Sequence, residues 1–298
     1  MSKSAPSLIV GGFGQVGARL RDALEDRPSV ATSTREREGD TIVLDLGSLR
    51  EEPDRVEQLF VRGPFAAIFC VGAFTDVESC ETRLSHAMAV NRDGPSVLAA
   101  AASRRKIPFV YFSSDYVFDG GAGPYAEDDV PNPLSVYGRS KYEGEQAVMA
   151  AHPRALIIRT TVVYGPDAER KNFLYALERR LSLREAMQIP DDQISTPTYN
   201  RDIALATIAL VDRRVTGVVN VSGPEAITRA EFARRAARAM GLDSTGIVPV
   251  KTSQLKQRAP RPLRAGLRID KLARLVPEVP MRSVEAAIAD WAPWKGMS

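Results

Sequence analysis

Short apolar runs and helical periodicities take turns along the first half of the chain. The segments "SLIVGG", "SVATST", "TIVLDL", "AAIFCVGA", "FVYFSSD" and "ALIIRTTVVYG" are compact, rich in β-branched residues and bounded by glycine or polar residues, so each predicts a strand. Between them, "ARLRDALED", "SLREEPDRVEQLF", "CETRLSHAMAVNRDGPSVLAAAASRR" and "SVYGRSKYEGEQAVMAAH" repeat their apolar residues at three- and four-residue spacing, which predicts amphipathic helices. Strands that alternate with helices need crossover connections, and crossovers cover both faces of a parallel sheet. The pattern therefore predicts an α/β fold, a doubly wound parallel sheet.

Past about residue 166 the alternation thins. A helix is expected near 172–185, another in "RDIALATIALVDRR", a strand in "GVVNVSG", a helix in "TRAEFARRAARAMG", a strand in "GIVPV" and a last helix near "SVEAAIADW". Prolines and arginines crowd "QRAPRPLRAGLR", which reads as irregular. This divides the chain into a larger part over 1–165, with segments near 200–222 returning to it, and a smaller C-terminal lobe over 166–298.

Composition narrows the class. The 298 residues are 44% hydrophobic and 26% charged, an ordinary globular balance, and 40 basic against 37 acidic residues leave +3 with no long run of one sign. Nucleic acid and membrane surfaces are not the expected partners. Two cysteines form neither a disulfide framework nor a metal-ligand cluster, so no metal and a reduced cytoplasmic setting are expected. No stretch approaches the roughly 20 apolar residues of a spanning helix. Cys70 lies in a strand pattern and reads as core, His86 and His152 have no partner motif, and Trp291 and Trp294 are expected to anchor the last helix.

The chemistry begins at "IVGGFGQVG", where Gly11, Gly14 and Gly17 fall at the junction of the first strand and first helix. Glycines there allow a tight turn, let backbone N–H groups approach a pyrophosphate, and set its charge at a helix N-terminus, as in a Rossmann dinucleotide site. A plain strand-to-helix turn also favours glycine; the alternation that follows is what supports the cofactor reading. At the end of the second strand an NAD site wants an acid, whereas Thr34 and Arg35 stand there. A guanidinium suits a 2′-phosphate, so NADP is expected ahead of NAD. The competing reading makes Arg35 and Arg37 solvated loop charges interleaved with Glu36 and Glu38.

In "VYGRSKYEGE", Tyr137 precedes Lys141 by four residues and so shares a helix face with it. A ketone reductase needs a proton donor for the developing alkoxide, and Tyr137 could serve if the Lys141 ammonium lowered its pKa. Ser114, at the C-terminal end of the fifth strand, is placed to meet the substrate carbonyl, while Ser113 points to the opposite face.

Taken in order, "GGFGQVG", "AVN", "FSSDYVFDG", "GPYAEDDVPNPLSVYGRSKYEGE", "RTTVVYG", "DDQISTPTY" and "RPLRAGLRIDKL" resemble the dTDP-4-dehydrorhamnose reductase family of extended short-chain dehydrogenases, over nearly the whole chain. The resemblance implies NADPH-dependent reduction of the 4-keto group of a nucleotide-linked 4-keto-6-deoxysugar. It implies that Gly11, Gly14, Gln15, Val16 and Gly17 line the pyrophosphate, that Asp45 and Leu46 flank the adenine, and that Ala73 and Thr75 border the cofactor. Tyr137 and Lys141 are then the catalytic pair, with Ser114 where the family usually carries Thr. Tyr116, Val162, Asn172 and Arg264 fall in the implied substrate region, Asn91 of "AVN" in the implied proton relay, and a homodimer is compatible with the family pattern.

The sequence departs from that pattern at three places. Val162 replaces a Trp that lies against the sugar, Arg264 and Ala265 replace Asn and Ser, and Arg19 replaces an acidic residue tied to a metal-bridged dimer. Two further readings stay open: an NADP-binding regulatory subunit resembling that of methionine adenosyltransferase, and a sugar-nucleotide epimerase or dehydratase.

Overall fold

A computed structural model describes residues 5–24, 26–37 and 41–291. Its strands are β1 (Ser7–Val10), β2 (Ser29–Ser33), β3 (Thr41–Val43), β4 (Ile68–Cys70), β5 (Phe109–Ser114), β6 (Leu156–Thr160), β7 (Val163–Tyr164), β8 (Met187–Pro190), β9 (Ile194–Ser195), β10 (Thr198–Tyr199), β11 (Gly217–Asn220), β12 (Ile227–Thr228) and β13 (Ile247–Val250). Seven of them form one parallel sheet in the order β11-β6-β5-β4-β1-β2-β3. All six strands expected in the first half are present.

The helices are α1 (Gln15–Ala23), α2 (Asp54–Val61), α3 (Val77–Thr82), α4 (Leu84–Met88), α5 (Gly94–Arg104), α6 (Val136–Ala151), α7 (Phe173–Ser182), α8 (Asn200–Asp212), α9 (Arg229–Ala239), α10 (Asp270–Leu275) and α11 (Val284–Asp290). Strand side chains alternate between two cores, as the pleat requires. Leu8, Val10, Cys70, Tyr111 and Ile157 face the core shared with α2, α5 and α6. Ile9, Phe69, Val110, Phe112 and Ile158 face the one shared with α1, α8 and α10. That alternation within continuous apolar strands makes the sheet doubly wound.

Outside the sheet, three two-stranded pieces pair β7 with β10, β9 with β12 and β8 with β13. They surround a third core in which Leu174, Leu177, Phe232, Ala236, Ile288 and Trp291 are buried. Trp291 packs edge-on against Tyr175 and so holds the end of α11, as its position suggested; Trp294 lies outside the described residues. The single long helix expected over 80–105 is instead α3, α4 and α5, with a π-helical turn at Ala89–Asp93. Asn91 sits in that turn and is fully buried. Among the described residues no helix is long and apolar enough to cross a membrane.

Candidate active site

The C-terminal ends of β1, β4, β5 and β6 meet loops that carry the chemistry. After β1 the chain turns with Gly11 at φ +81°, where a Cβ would stand 2.7 Å from Gly72 Cα; a Cβ on Gly17 would stand 2.3 Å from the Gly11 carbonyl oxygen. Only glycine lets this loop close onto β4 and onto itself. Gly14 is the N-cap of α1 and offers no side chain to its first N–H groups. Those donors stay available to an anion. Among the described residues Gln15 Oε1 is buried without a hydrogen-bond partner, and Val16 and Gly17 are buried in α1. Uncapped donors and close glycines fit the pyrophosphate of a dinucleotide.

Around that loop, Leu46 is buried against Gly72, and Asp45 caps the following turn by accepting the Gly47 N–H at 2.8 Å. Ala73 and Thr75 follow β4 on the same rim, where Asn91 holds the backbone of Phe74 between them by two hydrogen bonds, of 2.8 and 3.0 Å. Asn91 also donates to Ser140 Oγ at 2.9 Å, so its amide is spent on fixing the rim to α6. At the end of β2, Thr34 and Arg35 are exposed, whereas Arg37 lies over the ring of Phe13 in the glycine loop, 4.8 Å from its centroid.

Helix α6 presents the Tyr/Lys pair. Ser135 caps it by accepting the Gly138 N–H at 3.1 Å, and Glu81 accepts the Val136 N–H at 2.8 Å. One turn in, Lys141 is 2% exposed, with Nζ 4.2 Å from the centroid of the Tyr111 ring. Among the described residues no carboxylate pairs with it. Burial pushes its ammonium down to about 8, and Cys70 and Glu145 partly offset that. Tyr137 is half-buried, with its ring edge-on to Tyr116 at 5.5 Å. Burial raises its phenol above the ordinary value and a hydrogen bond with Ser114 works against that. In the free protein, then, burial wins over any lowering by Lys141, and the phenol keeps its proton.

Ser114 connects the pair to a buried acid. Its hydroxyl donates to Asp115 Oδ1 at 3.1 Å and accepts the Tyr116 N–H at 3.2 Å, while Thr161 donates to Asp115 Oδ2 at 2.6 Å. Burial raises the Asp115 carboxyl to about 6 against those two donors. Beside Thr161, Val162 has φ +38°, a left-handed conformation that a β-branched residue adopts only when its surroundings force it. Ser113 Oγ is buried without a hydrogen-bond partner among the described residues and has no part in this chain of contacts.

Next to Tyr116 opens a cavity of about 270 Å³, lined in part by Phe173, Gln188, Gln193, Arg229 and Arg261. The Arg229 guanidinium lies over Phe173, 4.7 Å from its centroid, and no carboxylate pairs with it among the described residues. Arg261 donates to the Tyr116 hydroxyl at 3.2 Å and to Glu78 at 2.6 Å, and its Nε is buried without a partner among the described residues. Two cations lining one cavity suit an anion.

Other expected positions lie differently. Asn172 is the N-cap of α7: its amide accepts the Leu174 N–H at 3.1 Å and donates to the Gly165 carbonyl at 2.9 Å, which leaves it committed to the backbone. Arg264 has an exposed side chain, and its backbone bridges Ile194 and Gly120; Arg261, three residues earlier, is the arginine that reaches Tyr116. Arg37, Asp115, Phe173, Arg229 and Arg261 were not singled out for the site from sequence. For Asp115 a signal existed, since it follows Ser114 in "SSD"; Arg229 and Arg261 are two of many arginines, and only folding separates them from the rest.

Residues 6–292 match the family described as RmlD substrate binding domain. The chain is 33% identical to the dTDP-4-dehydrorhamnose reductase of Mycobacterium tuberculosis, over 96% of this chain and 92% of that one. It is 30% identical to a probable low-salt glycan biosynthesis reductase of Haloferax volcanii, over 96% of this chain and 99% of that one. The crystal structure of dTDP-4-dehydrorhamnose reductase from Bacillus anthracis in complex with NADP superposes with a TM-score of 0.87 at 27% identity, covering 96% of this chain and 98% of that one. One from Clostridium acetobutylicum gives 0.88 at 27% identity, covering 98% and 100%. A family match across almost the entire chain and full-length relatives of this similarity place it: the chain belongs to the dTDP-4-dehydrorhamnose reductase family.

Proposed function

We propose that the protein is an NADPH-dependent oxidoreductase that reduces the 4-keto group of a nucleotide-linked 4-keto-6-deoxysugar. The observation that carries this reading is the placement of Tyr137 against Ser114, one helical turn from a buried Lys141 that no carboxylate pairs with among the described residues, on the rim of a glycine loop fit for a dinucleotide. Relatives named as dTDP-sugar reductases and a structural neighbour solved with NADP support it. Gly11, Gly14, Gln15, Val16 and Gly17 would hold the pyrophosphate, with Arg35 and Arg37 at the 2′-phosphate. NADPH bound there supplies the hydride.

The chain's own residues manage the proton. Tyr137 donates its hydroxyl proton to the oxygen of the carbonyl as charge develops on it, and Lys141 lowers the cost of the phenolate left behind. Ser114, which hydrogen-bonds with both Asp115 and Tyr137, holds that hydroxyl in place in the free protein. Arg229 and Arg261 take the anionic, nucleotide half of the substrate, with Tyr116 between them and the reacting carbon. Val162 offers the sugar a small, β-branched wall.

The test follows NADPH absorbance with a panel of dTDP-4-keto-6-deoxysugars. Tyr137→Phe should lower kcat by roughly 10²–10⁴-fold, the usual worth of a positioned general acid, while NADPH binding stays near that of the parent. A parent protein that binds NADPH tightly but oxidises none of it with any sugar of the panel rejects the reductase reading and favours the regulatory-subunit alternative.

A further inference from the structure

Beyond the end of β2, three cations converge on one carboxylate. Glu169, in the loop that leads from Gly165 into α7, accepts from Arg37 Nη2 at 3.0 Å and Arg35 Nη2 at 3.5 Å on one oxygen, and from Lys171 Nζ at 2.7 Å on the other. Arg35 and Arg37 are drawn together on their own side by Ser33 Oγ, which accepts the Arg35 N–H at 3.3 Å and the Arg37 Nε–H at 3.4 Å. Arg37 and Arg21 lie over the ring of Phe13, each 4.8 Å from its centroid, so the cluster borders the glycine loop. Glu169 itself is shaped from the other side: Asp167 Oδ1 accepts the Glu169 N–H at 3.1 Å, and Asp167 Oδ2 accepts the Lys171 N–H at 2.9 Å. Like charges so close need an anion among them, and in the free protein that anion is Glu169.

In a Rossmann sheet the end of the second strand is where the adenosine ribose lies. A carboxylate gripped there by arginines has the charge and the acceptor oxygens that a 2′-phosphate would bring. We propose that Glu169 is a tethered stand-in for the 2′-phosphate of NADP(H), holding Arg35, Arg37 and Lys171 until the cofactor takes them. This rests on the cofactor reading above and adds a regulatory consequence to it. A built-in competitor lowers the apparent affinity by the fraction of time that it occupies the site. It weakens NADPH and leaves NADH, which has no 2′-phosphate, almost untouched.

The experiment is calorimetric titration of the full-length protein with NADPH and with NADH. Glu169→Gln should tighten NADPH about five- to tenfold, the scale expected when a small network of exposed ion pairs is removed, and change NADH less than about twofold. High salt should shrink the gain, because the competition is between screened charges. Glu169→Asp, which keeps the charge but draws it back, should gain less than Glu169→Gln. An unchanged or weakened NADPH affinity in Glu169→Gln, or an equal gain for both cofactors, overturns the proposal. A parent protein that binds NADH as tightly as NADPH overturns the cofactor assignment beneath it, and that result is read before any variant is made.

Discussion

Lys141 shows at the scale of one residue how function opposes stability. Its ammonium is buried over Tyr111 with no carboxylate paired to it among the described residues, and burial lowers its pKa from 10.5 to about 8. The sign follows from proton counting. Between about 8 and 10.5 the unfolded chain binds the proton and the folded one does not, so stability rises with pH across that window. Below about 8 both states are charged and the full burial penalty is present. Lys141→Met should therefore raise Tm near neutral pH while abolishing reduction, and the gain should fade as the pH climbs toward 10.5, as calorimetry at a series of pH values would show. A variant no more stable than the parent near neutral pH would mean that the ammonium is compensated. The spacing of Tyr137 and Lys141 was legible in the sequence because a helix fixes it. The burial that sets both pKa values was not, since Tyr111, Cys70 and Asp115 come from other strands and loops.

Among the elements, α6 matters most, and its start is defined by local chemistry. Ser135 follows "NPL" and caps the helix through the Gly138 N–H, with Leu134 immediately before it and Tyr137 in the first turn. Ser135→Ala should cost about 1 kcal/mol, a drop in Tm of roughly 2–4 °C for a domain of this size. It should lower kcat more than it weakens NADPH, because the first turn carries Tyr137 while the glycine loop is untouched; a stability loss with unchanged kcat would show that the cap does not position the tyrosine. Long periodic elements such as α6, α8 and α9 were readable from sequence. The break of 80–105 into three helices and a π-helical turn was not, because Asn91 bonds the Phe74 backbone and Ser140, partners far away in the chain. Two-residue strands such as β7 and β12 carry too few side chains to show a period at all.

For the whole molecule, the link between sheet and α6 is a buried ion pair. Arg159 of β6 donates to both oxygens of Glu145 of α6, at 2.9 and 2.7 Å, with side chains 4% and 3% exposed. Arg159 also reaches the Glu127 carbonyl, and the Glu127 carboxylate accepts the N–H of Asn220 on edge strand β11. The network thus joins α6, the sheet and the segment that returns from the second half of the chain. Arg159→Met should cost about 3–5 kcal/mol, since it leaves the Glu145 carboxylate buried and unpaired. Denaturant unfolding would measure the loss, and a cost near zero would mean that Glu145 finds another donor. On the substrate side, Glu78 of α3 accepts the backbone N–H of Arg258 and Ala259 and pairs with Arg261, so it fastens the irregular arm to the sheet half.

By itself the sequence determined whatever depends on neighbours along the chain: the strand-helix alternation, the glycine turn, the helical spacing of Tyr137 and Lys141, and Ser114 at a strand end. These rest on backbone sterics and periodicity, which a few consecutive residues settle. The tertiary structure decided what depends on groups distant in sequence. It chose Arg229 and Arg261 from among many arginines, set Arg37 over Phe13, committed Asn172 to a helix cap and turned Arg264 outward. It also brought Glu169 to Arg35 across 134 positions. Burial and charge pairing between remote segments are properties of the packed chain, and no local pattern carries them.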